Sequence, residues 1–169
     1  MNGTTIATSG FPSGVSVAWQ IAGVGDVNGD GKADVIWRND TTGIVAVWLM
    51  NGLAITAEGV PGRAAPEVAS AGGGEVNGDG KADLVWRNTH DGNTAIWLMN
   101  GTAITASGFP GGVPAIWHMS EARDVNGDGK ADIIWRNSTS GTVAVWLMNG
   151  LTISAVGFPG STSTDWEIQ

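Results

Sequence analysis

The chain repeats itself every 49 residues, and this period restricts its possible folds more than any other feature. An acidic nonapeptide occurs three times and begins at Asp26, Glu75 and Asp124. A Met-Asn-Gly triplet keeps the same phase and begins at residues 1, 50, 99 and 148. A period of roughly 20–50 residues is typical of folds in which one supersecondary unit packs on the next copy of itself. The 169 residues therefore make up three full units and part of a fourth.

Each unit is expected to contain four short strands and no helix. The runs 34–38 and 44–49 are rich in β-branched and aromatic residues, which favours strands. Further strands are expected at 53–58 and through Trp19, whose position is repeated at Trp117 and Trp166. A proline follows shortly after Gly10, Gly59, Gly108 and Gly157, which predicts a strand-ending turn at each of these glycines.

The last strand before each Met-Asn-Gly triplet is apolar on both faces. Val45 and Val47 point to one side, whereas Ala46 and Trp48 point to the other. A sheet that is apolar on both faces must be covered on both sides, and repeated four-stranded sheets that pack between their neighbours meet this need. The fold class predicted is all-β, with β-propeller blades built from four-stranded antiparallel sheets. These blades form a partial ring or a ring closed by oligomerisation.

The repeat phase also predicts how one repeat domain, residues 1–169, divides into blades. Residues 1–10 are expected to supply the fourth strand of a preceding blade, and residues 164–169 the first strand of a further one. The three complete blades are expected at 17–59, 66–108 and 115–157. Because open blade edges invite pairing, the chain is expected to be a homo-oligomer, with a dimer favoured, or part of a longer chain.

The acidic nonapeptides predict calcium loops. Oxygen-bearing side chains stand at places one, three, five and nine, and glycines at places four and six allow the sharp backbone path. Calcium takes six to eight oxygen ligands, whereas magnesium demands a stricter octahedron. We expect about three structural Ca²⁺ ions, although plain hairpin turns at the Asn-Gly and Asp-Gly pairs are the alternative. The predicted ligands are Asp26, Asn28, Asp30, Asp34 and the Lys32 carbonyl; Glu75, Asn77, Asp79, Asp83 and the Lys81 carbonyl; and Asp124, Asn126, Asp128, Asp132 and the Lys130 carbonyl.

The charge of the chain is concentrated in these loops. Nine of its 16 acidic residues lie there, and the formal net charge is −8. This acidity argues against nucleic acid or an anionic membrane as a partner. No apolar run is long enough to cross a bilayer as a helix. Calcium sites with few charged ligands suit millimolar extracellular calcium, so a secreted location is expected, although this chain shows no signal sequence.

The motif has a specific family resemblance. The run Asp124–Asp132, followed by Ile-Ile-Trp-Arg-Asn, resembles the FG-GAP/VCBS repeat family, whose integrin α-subunit members form calcium-loaded β-propellers. The spacing of Trp-Arg-Asn and Trp-Leu-Met-Asn-Gly also resembles Photorhabdus-type propeller lectins. The resemblance implies that each acidic loop joins the first and second strands of a blade, with the first strand nearest the central channel.

Repeated Trp, Arg and Asn residues are candidates for ligand binding. Alternating strand direction places Trp19 and Trp37-Arg38-Asn39 on the face opposite the acidic loops. An indole stacks on the apolar face of a sugar, while Arg and Asn bond hydroxyls, so carbohydrate is the ligand expected. The alternative is a protein-adhesion module, or a purely structural or designed repeat, in which the tryptophans only pack and the arginines pair internally. The predicted ligand-binding residues are Trp19, Trp37, Arg38, Asn39, Trp86, Arg87, Asn88, Trp117, Trp135, Arg136 and Asn137.

Catalytic signatures are weak, and an enzyme is not expected. His90 and His118 stand at non-equivalent places of the repeat, His90 in a predicted turn and His118 at a variable strand position. The chain has no cysteine and no Gly-x-Ser-x-Gly elbow.

Overall fold

A computed structural model describes residues 14–65 and 68–166, with the backbone alone for 69–72. This part of the chain contains twelve strands and no helix, so no helix within it could span a membrane. The strands are β1 Trp19–Gly25, β2 Asp34–Asn39, β3 Ile44–Asn51, β4 Ala54–Arg63, β5 Val68–Gly74, β6 Asp83–Asn88, β7 Asn93–Asn100, β8 Ala103–Gly112, β9 Trp117–Arg123, β10 Asp132–Asn137, β11 Thr142–Asn149 and β12 Thr152–Ser161.

The strands form three four-stranded antiparallel sheets in sequence order. We call them blade 1 (β1–β4), blade 2 (β5–β8) and blade 3 (β9–β12). Each is a simple meander, because short turns connect neighbouring antiparallel strands. The all-β, four-stranded architecture predicted from the repeat is thus confirmed. The expected strand at residues 1–10 lies outside the described residues.

Strand register separates the two ends of each blade. In blade 1, Trp19 pairs with Asn39, whereas Gly25 pairs with Asp34 at the acidic loop. Trp117 pairs with Asn137 in the same way in blade 3. The Trp-Arg-Asn segments and the acidic loops therefore lie at opposite ends of the sheets, as the alternation of strand direction predicted.

The turns predicted at Gly59, Gly108 and Gly157 are wrong. β4 continues through this region, with Val47 paired to Gly59 and Val45 to Gly62. The register shift between these pairs is a bulge, and β8 and β12 repeat it. Proline can remain in such a strand because β4 is the last strand of its sheet, where a missing backbone donor at an edge or bulge is tolerated.

The apolar residues form two cores, each between successive blades. The first joins Val27, Ile36 and Val47 of blade 1 to Trp86 and Met99 of blade 2. The second joins the equivalent residues of blades 2 and 3, among them Val76, Ile96, Ile133, Trp135 and Met148. Both faces of blade 2 are therefore buried, as the two-sided apolar pattern requires.

Candidate functional site

Each acidic loop connects the first and second strands of its blade and folds around its leading carboxylate. Asp26 accepts hydrogen bonds from the N–H groups of Gly29 (2.7 Å to Oδ1), Asp30 (3.1 Å to Oδ1) and Gly31 (2.6 Å to Oδ2). Gly29 and Gly31 adopt positive φ of 79° and 81°, which only glycine adopts without strain. These backbone angles explain why glycine stands at the fourth and sixth places of the nonapeptide.

The second and third loops use the same arrangement. Glu75 accepts from Gly78 (2.6 Å) and Lys81 (2.9 Å) and makes a short hydrogen bond with the Gly80 N–H. Its longer side chain therefore fills the place of an aspartate. In the third loop the backbone N–H groups of Gly129 and Gly127 hold the pKa of Asp124 below its usual value.

The side chains at the third and fifth places of the loop also bond to its backbone. Asn28 Oδ1 accepts from the Asp30 N–H at 2.9 Å, and Asp30 Oδ1 accepts from the Lys32 N–H at 2.9 Å. The Lys32 ammonium lies 3.1 Å from Asp30 Oδ2, and the side-chain hydrogen bond from Lys32 lowers the pKa of Asp30. Equivalent ion pairs join Lys81 to Asp79 at 3.5 Å and Lys130 to Asp128 at 3.9 Å.

The aspartate at the ninth place of each loop, unlike the other acidic residues, is fully buried. Asp34 is fully buried and accepts from the Val27 N–H (3.1 Å) and the Met50 N–H (2.8 Å). It thereby ties the loop to the end of β3. Asp83 and Asp132 are equally buried and make the equivalent pairs of bonds. Desolvation by burial raises the pKa of Asp83 to about 6.

The loops offer the donor chemistry that calcium prefers, although their oxygens are already hydrogen-bonded. Among the described residues, no three carboxylate or imidazole groups form a metal-binding cluster. A carboxylate oxygen that accepts one N–H keeps a further lone pair. Asp26, Asn28 and Asp30 thus present hard oxygens within one short loop, and these residue types fit calcium.

The acidic loops also join successive blades, which the sequence did not indicate. The Asp26 carbonyl accepts from the Ala82 N–H at 2.6 Å, and the Val27 carbonyl accepts from the Gly101 N–H at 2.7 Å. At the next junction, the Glu75 carbonyl accepts from Ala131 and the Val76 carbonyl from Gly150. The first and second loops therefore each contact the loop and the Met-Asn-Gly turn of the following blade.

At the opposite end, the asparagines of Trp-Arg-Asn build turns. Asn39 Oδ1 accepts from the N–H groups of Thr41 (3.1 Å) and Thr42 (2.9 Å). Asn88 and Asn137 bond to the two equivalent N–H groups of their own turns. Short polar side chains that bond the backbone two or three residues ahead are typical of such turns.

The arginines connect each blade to the segment that follows it. Arg38 Nη2 donates to the Ala65 carbonyl (2.9 Å), and Arg136 Nη2 donates to the Ser163 carbonyl (2.7 Å). Arg87 Nη2 lies 3.2 Å from the Pro114 carbonyl, and its guanidinium carbon lies 5.8 Å from the ring centroid of Trp135. Burial lowers the pKa of Arg87.

The tryptophans of Trp-Arg-Asn pack against the third-strand tryptophans of their own blades. Trp86 and Trp135 are buried, and their ring centroids lie 5.2 Å and 4.9 Å from those of Trp97 and Trp146. Trp37 pairs with Trp48 at 4.8 Å. The indole N–H groups of Trp37, Trp86 and Trp135 are buried without a hydrogen-bond partner. Trp19 and Trp117 are half-buried at the starts of their strands, while His90 and His118 are exposed.

A cavity of about 270 Å³ lies between blades 1 and 2. Of the predicted ligand-binding residues, Trp86 and Asn88 line it. Its other principal lining residues, none of them predicted to bind ligand, are Arg63, Asp91, Asn93, Trp97 and Phe109. Arg63, Asp91 and Asn93 vary between repeats, so no repeated pattern marks them, whereas Trp97 recurs as Trp48 and Trp146, and Phe109 as Phe158.

Comparisons with known proteins bear on the family of the chain. No curated protein and no solved structure matches it. The sequence profile of the FG-GAP repeat matches three times, at residues 18–50, 68–99 and 122–148, and these matches cover more than half of the chain. The first two matches begin just before or at the first strand of a blade, and the third begins near the end of β9. Each match includes an acidic loop and ends within the third strand of its blade. The chain belongs to the FG-GAP repeat family.

Proposed function

We propose that the chain is a calcium-stabilised β-propeller binding module whose ligand is carbohydrate. The observation that carries the proposal is the cavity between blades 1 and 2. It combines aromatic surface from Trp86, Trp97 and Phe109 with polar groups from Arg63 and Asp91. Sites of this kind suit sugars, since aromatic rings cover apolar sugar faces while a few placed polar groups bond hydroxyls.

The exposure of the lining residues supports binding from solvent. The side chain of Phe109 is 81% exposed, so its ring can be covered by a ligand. Asp91 and Asn93 bond each other, with Asn93 Nδ2 2.9 Å from Asp91 Oδ2, which holds both at the rim. Arg63 is exposed at the end of β4. A guanidinium and a carboxylate at one rim can together donate to and accept from neighbouring hydroxyls.

The equivalent junction between blades 2 and 3 is less polar. Gly112, Ser140 and Thr142 stand where Arg63, Asp91 and Asn93 stand one repeat earlier. Phe158 keeps the place of Phe109. We therefore assign the principal sugar site to the first junction rather than to every junction of the repeat.

A glycan array followed by calorimetric titration of the best ligand tests the proposal. Phe109→Ala and Asp91→Ala should each weaken binding at least about tenfold, a loss of about 1.4 kcal/mol. Phe158→Ala is the matched control, because it removes the equivalent ring from the junction that lacks the arginine and the aspartate. The absence of sugar binding at millimolar ligand would favour the second candidate, a protein-adhesion or purely structural repeat module.

Calcium is the stabilising ion in this proposal. The oxygens of Asp26, Asn28 and Asp30, with the Lys32 carbonyl and buried Asp34, would hold one ion, and the other two loops repeat the set. The ion would offset the repulsion among three carboxylates within nine residues. The resulting increase in stability suits a secreted module in millimolar calcium.

A thermal melt in EDTA, compared with one in excess Ca²⁺, tests the role of calcium. The melting temperature should fall in EDTA and recover on adding Ca²⁺, because a ligand that binds only the folded state stabilises it. Calorimetric titration should give about three ions per chain. Equal melting temperatures under both conditions would contradict calcium stabilisation, whatever the result of the sugar experiment.

A further inference from the structure

Blade junctions in this chain have two different halves. Blade 1 contributes what we call its valine face, namely Val27, Ile36, Val45 and Val47, all 0% exposed. Blade 2 covers it with its tryptophan face, which includes Leu84, Trp86 and Met99. The same two faces meet again between blades 2 and 3.

The valine face of blade 3 has no such cover in the described part of the chain. Val125 is 48% exposed, whereas its equivalents Val27 and Val76 are 0% exposed. Ile134 and Val145 are half-buried, although their equivalents in blades 1 and 2 are 0% or 1% exposed. The face is therefore an apolar surface that the fold buries twice elsewhere.

Two backbone carbonyls of the acidic loop lie beside the valine face of blade 3. At the internal junctions, the carbonyls at places one and two of the acidic loop accept N–H groups from the next blade. In blade 3 these carbonyls belong to Asp124 and Val125, and no described residue donates a hydrogen bond to them.

Blade 1 carries the matching half. Its tryptophan face is more open than those of the other blades: Ala33 is exposed, whereas Ala131 is buried. Trp37 is half-buried, whereas Trp86 and Trp135 are 2% and 0% exposed. Leu53 is 47% exposed. Its equivalents Thr102 and Leu151 lie so close to Gly59 and Gly108 of the preceding blade that a Cβ added to these glycines would be 2.6 Å and 3.2 Å from their Cβ atoms.

We propose that the valine face of blade 3 binds the tryptophan face of blade 1 in a second copy of this chain. The contact continues the interface that joins blades 1, 2 and 3. In it, the Ala33 and Gly52 N–H groups of the second copy donate to the Asp124 and Val125 carbonyls. Because the two faces differ, the contact is head-to-tail, and two or more copies close a ring if the rotation permits.

One residue makes this contact weaker than the internal ones. Arg123 stands where blades 1 and 2 have Gly25 and Gly74. A Cβ on those glycines would lie only 2.6 Å from Ala82 Cβ and 2.8 Å from Ala131 Cβ. The two blades at the intermolecular junction must therefore lie slightly farther apart near Arg123 than the blades at the internal junctions.

Sedimentation of the full chain at concentrations up to about 100 µM tests the proposal. The wild type should sediment as an oligomer of the 17.3 kDa chain. Val125→Gln and Ala33→Arg, each at an exposed position on one of the two faces, should weaken association at least about tenfold. Val60→Gln, at a 65% exposed position on an outer strand, is the control and should associate like the wild type.

Mixing the two variants makes the test specific for a head-to-tail contact. The Val125→Gln copy keeps an intact tryptophan face and the Ala33→Arg copy keeps an intact valine face, so the mixture should form dimers that neither forms alone. Arg123→Gly should associate more tightly than the wild type. A wild type that stays monomeric, association insensitive to Ala33→Arg, or a mixture that stays monomeric would each overturn the proposal. Circular dichroism and thermal melts verify that each variant folds.

Discussion

At the scale of single residues, the acidic positions of the loop divide into two kinds. The leading carboxylate and the residues at places three and five are half-buried or exposed, and they organise the loop by bonding its N–H groups. The ninth residue is buried and bonds backbone outside its own turn, as Asp34 does with Met50. A buried acceptor of two backbone donors is costly to remove, because each orphaned N–H loses its partner without regaining water.

Asp34→Ala should destabilise the protein by about 2–4 kcal/mol even in EDTA, because two buried N–H groups lose their acceptor. Asp30→Ala is the control: Asp30 is equally a predicted calcium ligand, but it is exposed, and its loss in EDTA should cost less than about 1 kcal/mol. Urea unfolding in EDTA measures both changes. Equal costs for the two variants would mean that Asp34 stabilises the fold only through calcium.

Asp83 should give the stability of the calcium-free protein a distinctive pH dependence. Its folded-state pKa of about 6 lies above the ordinary value of 3.8, so the folded state binds more protons between these values. Its stabilising contribution is therefore fully present below pH 3.8 and is lost as the pH rises through 6.

The measurement compares urea unfolding of the wild type and of Asp83→Asn in EDTA from pH 4 to pH 7. The free energy of unfolding of the wild type, minus that of the variant, should fall across this range by at most about 3 kcal/mol. Parallel curves for the two proteins would show that Asp83 does not titrate there.

At the scale of elements, the hairpin between the second and third strands of each blade depends on one glycine. Gly43 closes the turn with an N–H bond of 2.7 Å to the Asn39 carbonyl, and its own carbonyl accepts from Ala64 at 2.9 Å. Gly92 and Gly141 repeat this geometry at positive φ of 78° and 68°. At Gly92, an added Cβ would overlap the Val113 carbonyl oxygen. The turn glycine therefore serves both the hairpin and the docking of the chain that follows the outer strand.

Gly92→Ala should destabilise the protein by at least about 2 kcal/mol more than Gly80→Ala. Both glycines have positive φ near 80°, so both alanines carry a left-handed strain of about 1–2 kcal/mol. Only Gly92 also meets a backbone atom, since a Cβ on Gly80 would have nothing within 4 Å. Thermal and urea unfolding of the two variants measure the difference, and equal losses would rule out the steric contribution.

Across the described chain as a whole, stability lies in the junctions, because both apolar cores join successive blades. Buried apolar faces, the carbonyls of the acidic loops and the arginine contacts all act between successive blades. In such arrays the free energy of folding is approximately a sum of blade and interface contributions.

Arg87→Met should destabilise the junction between blades 2 and 3 by about 1–3 kcal/mol, because it removes a charged donor from the Val113 and Pro114 carbonyls and a cation from the face of Trp135. Arg123→Met is the control, since the Arg123 side chain is 72% exposed and, among the described residues, forms an ion pair with Glu121 alone. Urea unfolding of dilute protein measures both. An unchanged Arg87→Met variant that had lost sugar binding would instead indicate that Arg87 contacts ligand.

The repeat period, the two-sided apolar strands and the glycine spacing of the acidic loops were sufficient to predict the four-stranded antiparallel blades and the burial of both of their faces. These features are local, since they follow from side-chain alternation and from backbone angles that few residues other than glycine adopt. The turn predicted at Gly59 failed because an edge strand and a bulge tolerate Pro61, and neither can be recognised without knowing where the sheet ends.

Tertiary packing alone brings together the groups that meet between blades. The bond of Asp34 to Met50, the pairing of Asp26 and Val27 with the next blade, and the junction of Arg63 with Asp91 and Phe109 join residues distant in sequence. The sequence determined the blade and its repetition, because those depend on periodicity and turn chemistry. The packing of one blade on another determined the buried carboxylates, the cavity and the unequal exposure of Val27 and Val125, because burial depends on what lies opposite a residue rather than on the residue itself.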